Sequence, residues 1–178
     1  MVVYFIDSSA LVKRYISESG SKWVLGLFNS ALKKEIFVAE SGSKWVLGSF
    51  NPALNNEIFV AAITGVEIIA AITRRSRSGS ISAVDAATVC RQFRNDLQTD
   101  YQIVEITKGI IDSGMSMAEA RGLRGYDAVQ LAAGCAVNAL CITSGLPPVI
   151  FTSADSELNA AATNEGLSVE NPNSAESL

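Results

Sequence analysis

Short apolar runs alternate with longer amphipathic segments along the 178 residues of this chain. Val2–Ile6 is a continuous apolar run typical of a buried strand, and residues 8–16 follow it with helical spacing. The same alternation continues after residue 61, with helical patterns over 62–75, 82–100, 107–122, 125–141 and 154–164 and strand patterns over 101–106, 149–152 and 167–170. Strands alternating with helices predict an α/β fold with a parallel sheet covered by helices.

Residues 18–39 and 40–61 are two copies of one sequence, ESGSKWVLGLFNSALKKEIFVA and ESGSKWVLGSFNPALNNEIFVA. Two copies are too few for a solenoid, so the repeat is interpreted as a tandem duplication within a single domain spanning 1–170. Each copy offers one helix and one short strand. Chain connectivity predicts that the first helix copy and the second strand copy take the native places. The leftover helix and strand would form an extra segment with exposed apolar side chains, which favours self-association.

The remaining tail, residues 171–178, is predicted to be disordered. No apolar segment reaches the length of a membrane span, and no basic segment precedes the first apolar run. These patterns predict a cytoplasmic protein without membrane contact. Cys90, Cys135 and Cys141 lack the spacing of a metal site and are predicted to be reduced thiols.

The composition contains no histidine, which excludes Ser-His-Asp and Cys-His catalysis and histidine-ligated metal sites. Acid–base chemistry is then left to carboxylates, bound metal ions, Lys, Tyr or Cys. The net charge of −4 argues against a strongly basic nucleic-acid binder but leaves room for a local nucleic-acid contact.

Four acidic residues lie either within an apolar segment, where a charge is unfavourable, or at the end of a predicted strand or helix. Asp7 ends the first apolar run, Asp155 follows the run at 149–152, and Asp127 begins an apolar helix. Glu67 is the only charged residue between positions 58 and 72, and a lone carboxylate in an apolar segment needs a partner. Because ligands bind at the carboxyl ends of parallel strands, these acids have a physical reason to meet. Converging carboxylates would repel each other and imply a bound divalent cation.

Each acid also has a plain structural explanation. Asp7 could be a helix N-cap, Asp127 a first-turn acid favoured by the helix dipole, and Asp155 a first-turn acid after a Ser153 cap. Glu67 could pair with a base such as Arg74. Only the set of four points to a metal site.

Neighbouring side chains suggest a supporting shell and a contact surface for phosphate. Hydroxyl groups near the acids could orient ligands, with Ser9 and Thr152 as the main candidates beside Ser8, Thr64 and Ser153. Lys13, Arg14, Arg74 and Arg75 are candidate RNA contacts, although such charge runs are more often solvated helix surface.

Four stretches, FIDSSALVKRY from residue 5, AITGVEIIAA from residue 62, LRGYDAVQLA from residue 123 and IFTSADSEL from residue 150, together resemble PIN-domain proteins, in particular the VapC-type toxins. The resemblance implies a three-layer α/β/α fold with a central parallel sheet, to which the duplicated stretch adds its extra segment. It also implies an endoribonuclease that depends on Mg²⁺ or Mn²⁺, a cognate antitoxin and a homodimer. The metal-binding and catalytic positions that it implies are Asp7, Glu67, Asp127 and Asp155.

Two other functions stay open. A phosphatase of the haloacid dehalogenase type would need a second Asp two residues after the first, where this chain has Ser9. A toxin fold inactivated by the duplication could act as a regulator that binds RNA or antitoxin without cutting. Metal-dependent turnover of RNA distinguishes the three.

Overall fold

The computed structural model describes residues 2–28 and 56–174, which form a five-stranded parallel sheet between two layers of helices. The strand order is β3-β2-β1-β4-β5, with β1 Val2–Ile6, β2 Asn56–Ala61, β3 Gln102–Val104, β4 Ile150–Thr152 and β5 Ser168–Glu170. The helices are α1 Ser8–Leu11, α2 Ser21–Gly26, α3 Thr64–Arg77, α4 Ala83–Thr99, α5 Lys108–Arg121, α6 Gly125–Thr143 and α7 Ser156–Asn164. This architecture confirms the predicted fold class.

The central strand β1 is buried on both faces because its side chains alternate between two cores. Tyr4 and Ile6 pack with α1, α3 and α4 on one side of the sheet. Val3 and Phe5 pack with α6 and α7 on the other side. Burial on both faces explains why the strand is an uninterrupted apolar run rather than an alternating one.

Helix α6 has the length and apolar composition that could cross a membrane, alone among the described helices. Its packing in the second core accounts for that composition, since Leu131 and Val137 are buried there. Gly134 lets the helix approach the sheet closely, because a Cβ at this position would lie 2.7 Å from the ring of Phe151.

The repeat is divided between its two copies, as chain connectivity predicts. Strand β2 comes from the second copy and pairs in parallel with β1, with Ile58 opposite Tyr4. Helix α2 comes from the first copy and buries Val24 and Leu25. The first-copy helix is predicted over 21–32, and in the structure α2 ends at Gly26. The first-copy strand, the second-copy helix and residues 29–32 lie outside the described residues.

Deletion of residues 29–50 is expected to leave the fold intact. The deletion joins Phe28 to Asn51, which continues the repeat in register, and removes none of the described elements or the four acids. A shorter connection lowers the entropy cost of loop closure, so the free energy of unfolding should rise by about 1–2 kcal/mol. Thermal denaturation followed by circular dichroism checks this. Loss of cooperative unfolding in the deletion variant would contradict the division of the repeat.

Two predicted boundaries are corrected. The helix expected over 8–16 is α1 followed by a 3-10 turn, Val12–Arg14, and the tighter turn keeps Leu11 and Val12 in the first core. Part of the tail expected to be disordered is packed, since Pro172 is buried against Gly20. Gly20 allows this approach because it has a φ of +82° and no side chain. Residues 175–178 lie outside the described residues.

Candidate metal centre

Asp7 lies just past the carboxyl end of β1 and is 3% exposed. Its backbone N–H donates to the Thr152 carbonyl at 2.9 Å, which ties it to the end of β4. Its Oδ2 accepts hydrogen bonds from the Ser9 backbone N–H at 3.0 Å, the Ser9 hydroxyl and the Ser153 hydroxyl at 3.1 Å. Asp7 is therefore both the N-cap of α1 and a buried acid. Its role as a helix cap is compatible with a role as a metal ligand.

Burial raises the pKa of the Asp7 carboxyl, and the hydrogen bonds from Ser9 and Ser153 lower it by less. The ionised carboxylate is thus held in an environment that disfavours its charge, even though three donors surround it. A bound cation would relieve that unfavourable charge.

Glu67 stands in the first turn of α3 and is held by Gln130 of α6. The fully buried Gln130 amide donates to Glu67 Oε2 at 2.7 Å and to Thr64 Oγ1 at 2.9 Å. Burial raises the pKa of Glu67, the charges of Asp7 and Asp127 raise it further, and bonds from Gln130 and Ser8 oppose the rise. Among the described residues Glu67 makes no ion pair with Arg74, so the structural explanation of Glu67 as half of such a pair is not supported.

Asp127, in the first turn of α6, accepts no hydrogen bond from the described residues. Burial raises the pKa of its carboxyl first, and the neighbouring charges of Asp7, Asp155 and Glu157 raise it further. The guanidinium of Arg124 is the one neighbour that lowers the pKa in this surrounding. A half-buried carboxylate among other carboxylates is the donor chemistry that a divalent cation satisfies.

Asp155 follows β4 and is itself the N-cap of α7. Its Oδ1 accepts from the backbone N–H groups of Glu157 at 2.8 Å and Leu158 at 3.0 Å. This corrects the interpretation of Asp155 as a first-turn residue after a Ser153 cap; Ser153 instead accepts the Asp155 backbone N–H and donates to Asp7. The charge of Asp155 raises the pKa of the Asp127 carboxyl, so Asp155 still interacts with the other acids.

The four acids share one electrostatic environment at the carboxyl edge of the sheet. Across residues 2–28 and 56–174, however, no three acidic or thiol side chains converge as a closed set of direct metal ligands. The residues fit a hydrated ion, since Mg²⁺ keeps several waters and uses one or two carboxylates directly. The assignment of Asp7, Glu67, Asp127 and Asp155 as ligands stays a prediction.

Gln130 is a positioning residue that the sequence interpretation did not include in the site. In the sequence Gln130 is visible only as a lone amide in an otherwise apolar helix. Its role depends on the contact between α6 and α3, which places the amide against Glu67. The sequence offers Ser153 only as one of several neighbouring hydroxyls, yet it contacts Asp7 directly. The predicted Ser9 contact is present, whereas the buried Thr152 hydroxyl has no hydrogen-bond partner in the described part of the chain. Thr152 supports Asp7 through its carbonyl instead.

Gln130→Met is expected to shift the pH dependence of metal binding upward. The substitution removes the amide that lowers the pKa of Glu67, so the carboxyl ionises at higher pH than in the wild type. The midpoint of Mn²⁺-induced thermal stabilisation, measured as a function of pH, should move to higher pH. Gln92→Met, at a partly exposed position of α4, is the matched control. An unchanged midpoint in Gln130→Met would show that the amide does not position Glu67.

Two of the predicted RNA contacts are structural. Lys13 is 5% exposed, and its ammonium pairs with Glu18 at 3.0 Å and with the Ser19 carbonyl. Arg14 is also buried, and its guanidinium pairs with Asp96 and Asp100. Buried, paired cations are not available to phosphate, so neither residue is a contact.

The other two predicted contacts differ from each other. Arg75 is only partly exposed and pairs with Glu18, which lies in the segment just before α2. Arg74 is exposed and has no ion-pair partner among the described residues. Of the four basic candidates, Arg74 is the one whose charge remains available.

Two solved structures are similar to this chain in fold. PAE2754 from Pyrobaculum aerophilum aligns with 20% identity and a TM-score of 0.52 over 90% of this chain and 84% of that one. FitAcB from Neisseria gonorrhoeae aligns with 11% identity and a TM-score of 0.51 over 96% of this chain and 98% of that one. No protein-family model matches the chain, and no curated protein matches it either. The chain has the PIN-like three-layer α/β/α fold with a central parallel sheet.

Proposed function

We propose that this protein is a metal-dependent endoribonuclease of the toxin–antitoxin type. One observation carries the proposal: Asp7, Glu67 and Asp127 come from three separate elements, and the charge of Asp7 raises the pKa of the other two. A fold that brings carboxylates together at such a cost in stability suggests a bound cation. The resemblance of the surrounding sequence stretches to VapC-type toxins and the PIN-like fold support the choice of RNA as substrate.

Asp7, Glu67 and Asp127 would hold Mg²⁺, or Mn²⁺ in its place, and Asp155 would complete the set beside Asp127. When bound, the ion would activate water and stabilise the charge that develops on the phosphodiester. Ser9 and Ser153 fix the Asp7 carboxylate by hydrogen bonds, and Gln130 fixes Glu67. The pKa of Glu67 is raised in the metal-free site, and a bound cation would lower it and hold the side chain as a carboxylate.

The same resemblance supports two partners. A cognate antitoxin would block the site, and the protein itself would form a homodimer. The similar solved structure of FitAcB, which this chain matches over nearly its full length, agrees with this proposal at the level of the fold. We place the protein in the cytoplasm, where its RNA substrate and its antitoxin would be.

Cleavage of a mixed RNA substrate by the purified protein tests the proposal. Cutting should require Mg²⁺ or Mn²⁺, stop in EDTA and disappear in Asp127→Asn. A folded protein that binds RNA but never cuts it would point to the regulator. Hydrolysis of small phosphate monoesters with RNA left intact would point to the phosphatase.

A further inference from the structure

Helix α3 carries a second stripe of residues that the core covers only in part. Its buried residues, Thr64, Ile68 and Ile72, belong to the first core side of the helix. The other stripe lines an open groove of about 460 Å³, formed by Gly65, Val66, Ile69, Ala70, Thr73, Arg74 and Arg77. Val66 is 65% exposed there, so the described residues leave an apolar surface uncovered.

The groove ends in two free positive charges. Arg74 and Arg77 are exposed, and neither has an ion-pair partner within residues 2–28 and 56–174. Arg75 lies between them in sequence but differs from both, because its guanidinium pairs with Glu18 just before α2. Unpaired guanidinium groups beside an apolar surface suit a ligand that is both anionic and partly apolar.

The other end of the groove adjoins the candidate metal centre. Gly65 and Val66 immediately precede Glu67 on α3. Arg74 follows Glu67 by about two helical turns, roughly 10 Å along the axis. The groove therefore begins next to Glu67 in the first turns of α3 and ends at the two arginines.

An exposed aromatic ring stands beside the carboxylates on α6. Tyr126 is 61% exposed and immediately precedes Asp127. It lies one turn before Gln130, whose amide contacts Glu67 on α3. An uncovered ring next to an acidic site has little structural use, but it offers a flat surface on which a base can stack.

We infer that Tyr126 and the α3 groove together bind one single strand of RNA across the carboxylates. Tyr126 stacks on a base beside the scissile phosphate, and Arg74 and Arg77 contact backbone phosphates farther along the strand. The inference rests on the proposed function for the identity of its ligand. It also specifies that ligand, because stacking on a side chain requires bases that are not already stacked in a duplex.

Fluorescence anisotropy of a short labelled single-stranded RNA, titrated in EDTA so that nothing is cut, tests the inference. Arg74→Ala and Arg77→Ala should each weaken binding several-fold, and each should reduce the slope of log affinity against log salt by about 0.7. Arg75→Ala is the matched control and should bind like the wild type. Tyr126→Ala should weaken binding about tenfold, whereas Tyr126→Phe keeps the ring and the affinity.

Three results would overturn the inference. Arg74→Ala and Arg77→Ala could bind RNA as Arg75→Ala does, or a duplex of the same length could bind as tightly as the single strand. Sedimentation could also show that the two variants dissociate a dimer while RNA affinity stays constant, which would make the groove an interface between copies. If the variants change RNA affinity as expected but the protein never cuts RNA, the RNA-binding surface would be supported and the nuclease rejected. Cleavage unaffected by Arg74→Ala, Arg77→Ala and Tyr126→Ala would support the nuclease and reject this RNA-binding surface.

Discussion

Asp7→Asn is expected to abolish RNA cleavage and to stabilise the metal-free protein at the same time. Loss of one carboxylate from the centre should reduce the cleavage rate by at least about 100-fold. Burial raises the pKa of Asp7, so the ionised side chain destabilises the folded state at neutral pH. Asparagine removes that charge and can still cap α1, so the free energy of unfolding should rise on the order of 1 kcal/mol.

The pH dependence of unfolding gives this prediction its sign. A carboxyl whose folded pKa lies above its unfolded value keeps its proton more tightly in the folded state. Metal-free wild type should therefore lose stability as the pH rises from about 4 through the raised folded pKa. Asp7→Asn should lack that part of the decline. Mn²⁺ should raise the melting temperature of the wild type and not of the variant.

The matched control is Asp85→Asn, which changes a partly exposed first-turn acid of α4 that accepts a hydrogen bond from the Ser82 cap. It should leave cleavage and metal stabilisation unchanged. Denaturation by urea at several pH values, with and without Mn²⁺, supplies the stabilities. An Asp7→Asn variant that is less stable than the wild type and still cuts RNA would mean that Asp7 is only a helix cap.

Arg14→Ala should be the most destabilising of these substitutions. The Arg14 side chain is 4% exposed and lies within 3.5 Å of Asp96 Oδ2, whose side chain is 1% exposed. Its guanidinium also pairs with Asp100, bonds to the Tyr101 hydroxyl and lies 3.8 Å from the centre of the Phe28 ring. Arg14→Ala takes the guanidinium away from the buried Asp96, and removal of one member of a buried ion pair should lower the free energy of unfolding by about 3–5 kcal/mol.

A double substitution separates the lost charge from the lost packing. Arg14→Met with Asp96→Asn keeps the volume and removes both charges, so it should recover much of the stability lost in Arg14→Ala. The exposed Arg74→Ala should change the free energy of unfolding by less than about 0.5 kcal/mol. A normal urea midpoint for Arg14→Ala, together with weaker RNA binding, would restore Arg14 as an RNA contact and contradict its structural role.

Local sequence signals were enough to predict the α/β fold class and the order of the described strands and helices after residue 56, together with the elements on which the acids lie. Asp7 and Asp155 could be placed because each follows an apolar run, and parallel strands end at a common edge. The assignment of α2 and β2 to different repeat copies followed from chain connectivity. In each case the relevant signal lies within a few residues of the feature that it predicts.

Side-chain partners distant in sequence could not be predicted in this way. Arg14 looks like a solvated base beside Lys13, and only the packing of α4 and β3 brings Asp96, Asp100 and Tyr101 to it. Gln130 looks like a neutral residue within an apolar helix until α3 places Glu67 opposite its amide. These errors arise because charge and polarity are visible in sequence, whereas the burial that decides their role is a tertiary property.

The most direct test of the central claim is anomalous diffraction from a crystal of the full chain soaked in Mn²⁺. A peak is expected between the carboxylates of Asp7, Glu67 and Asp127, with ordered water completing the coordination. The same soak of Asp7→Asn should lose it. A well-diffracting wild-type crystal with no peak at the carboxyl edge of the sheet, or with manganese bound only elsewhere, would contradict the assignment of these acids as a metal centre.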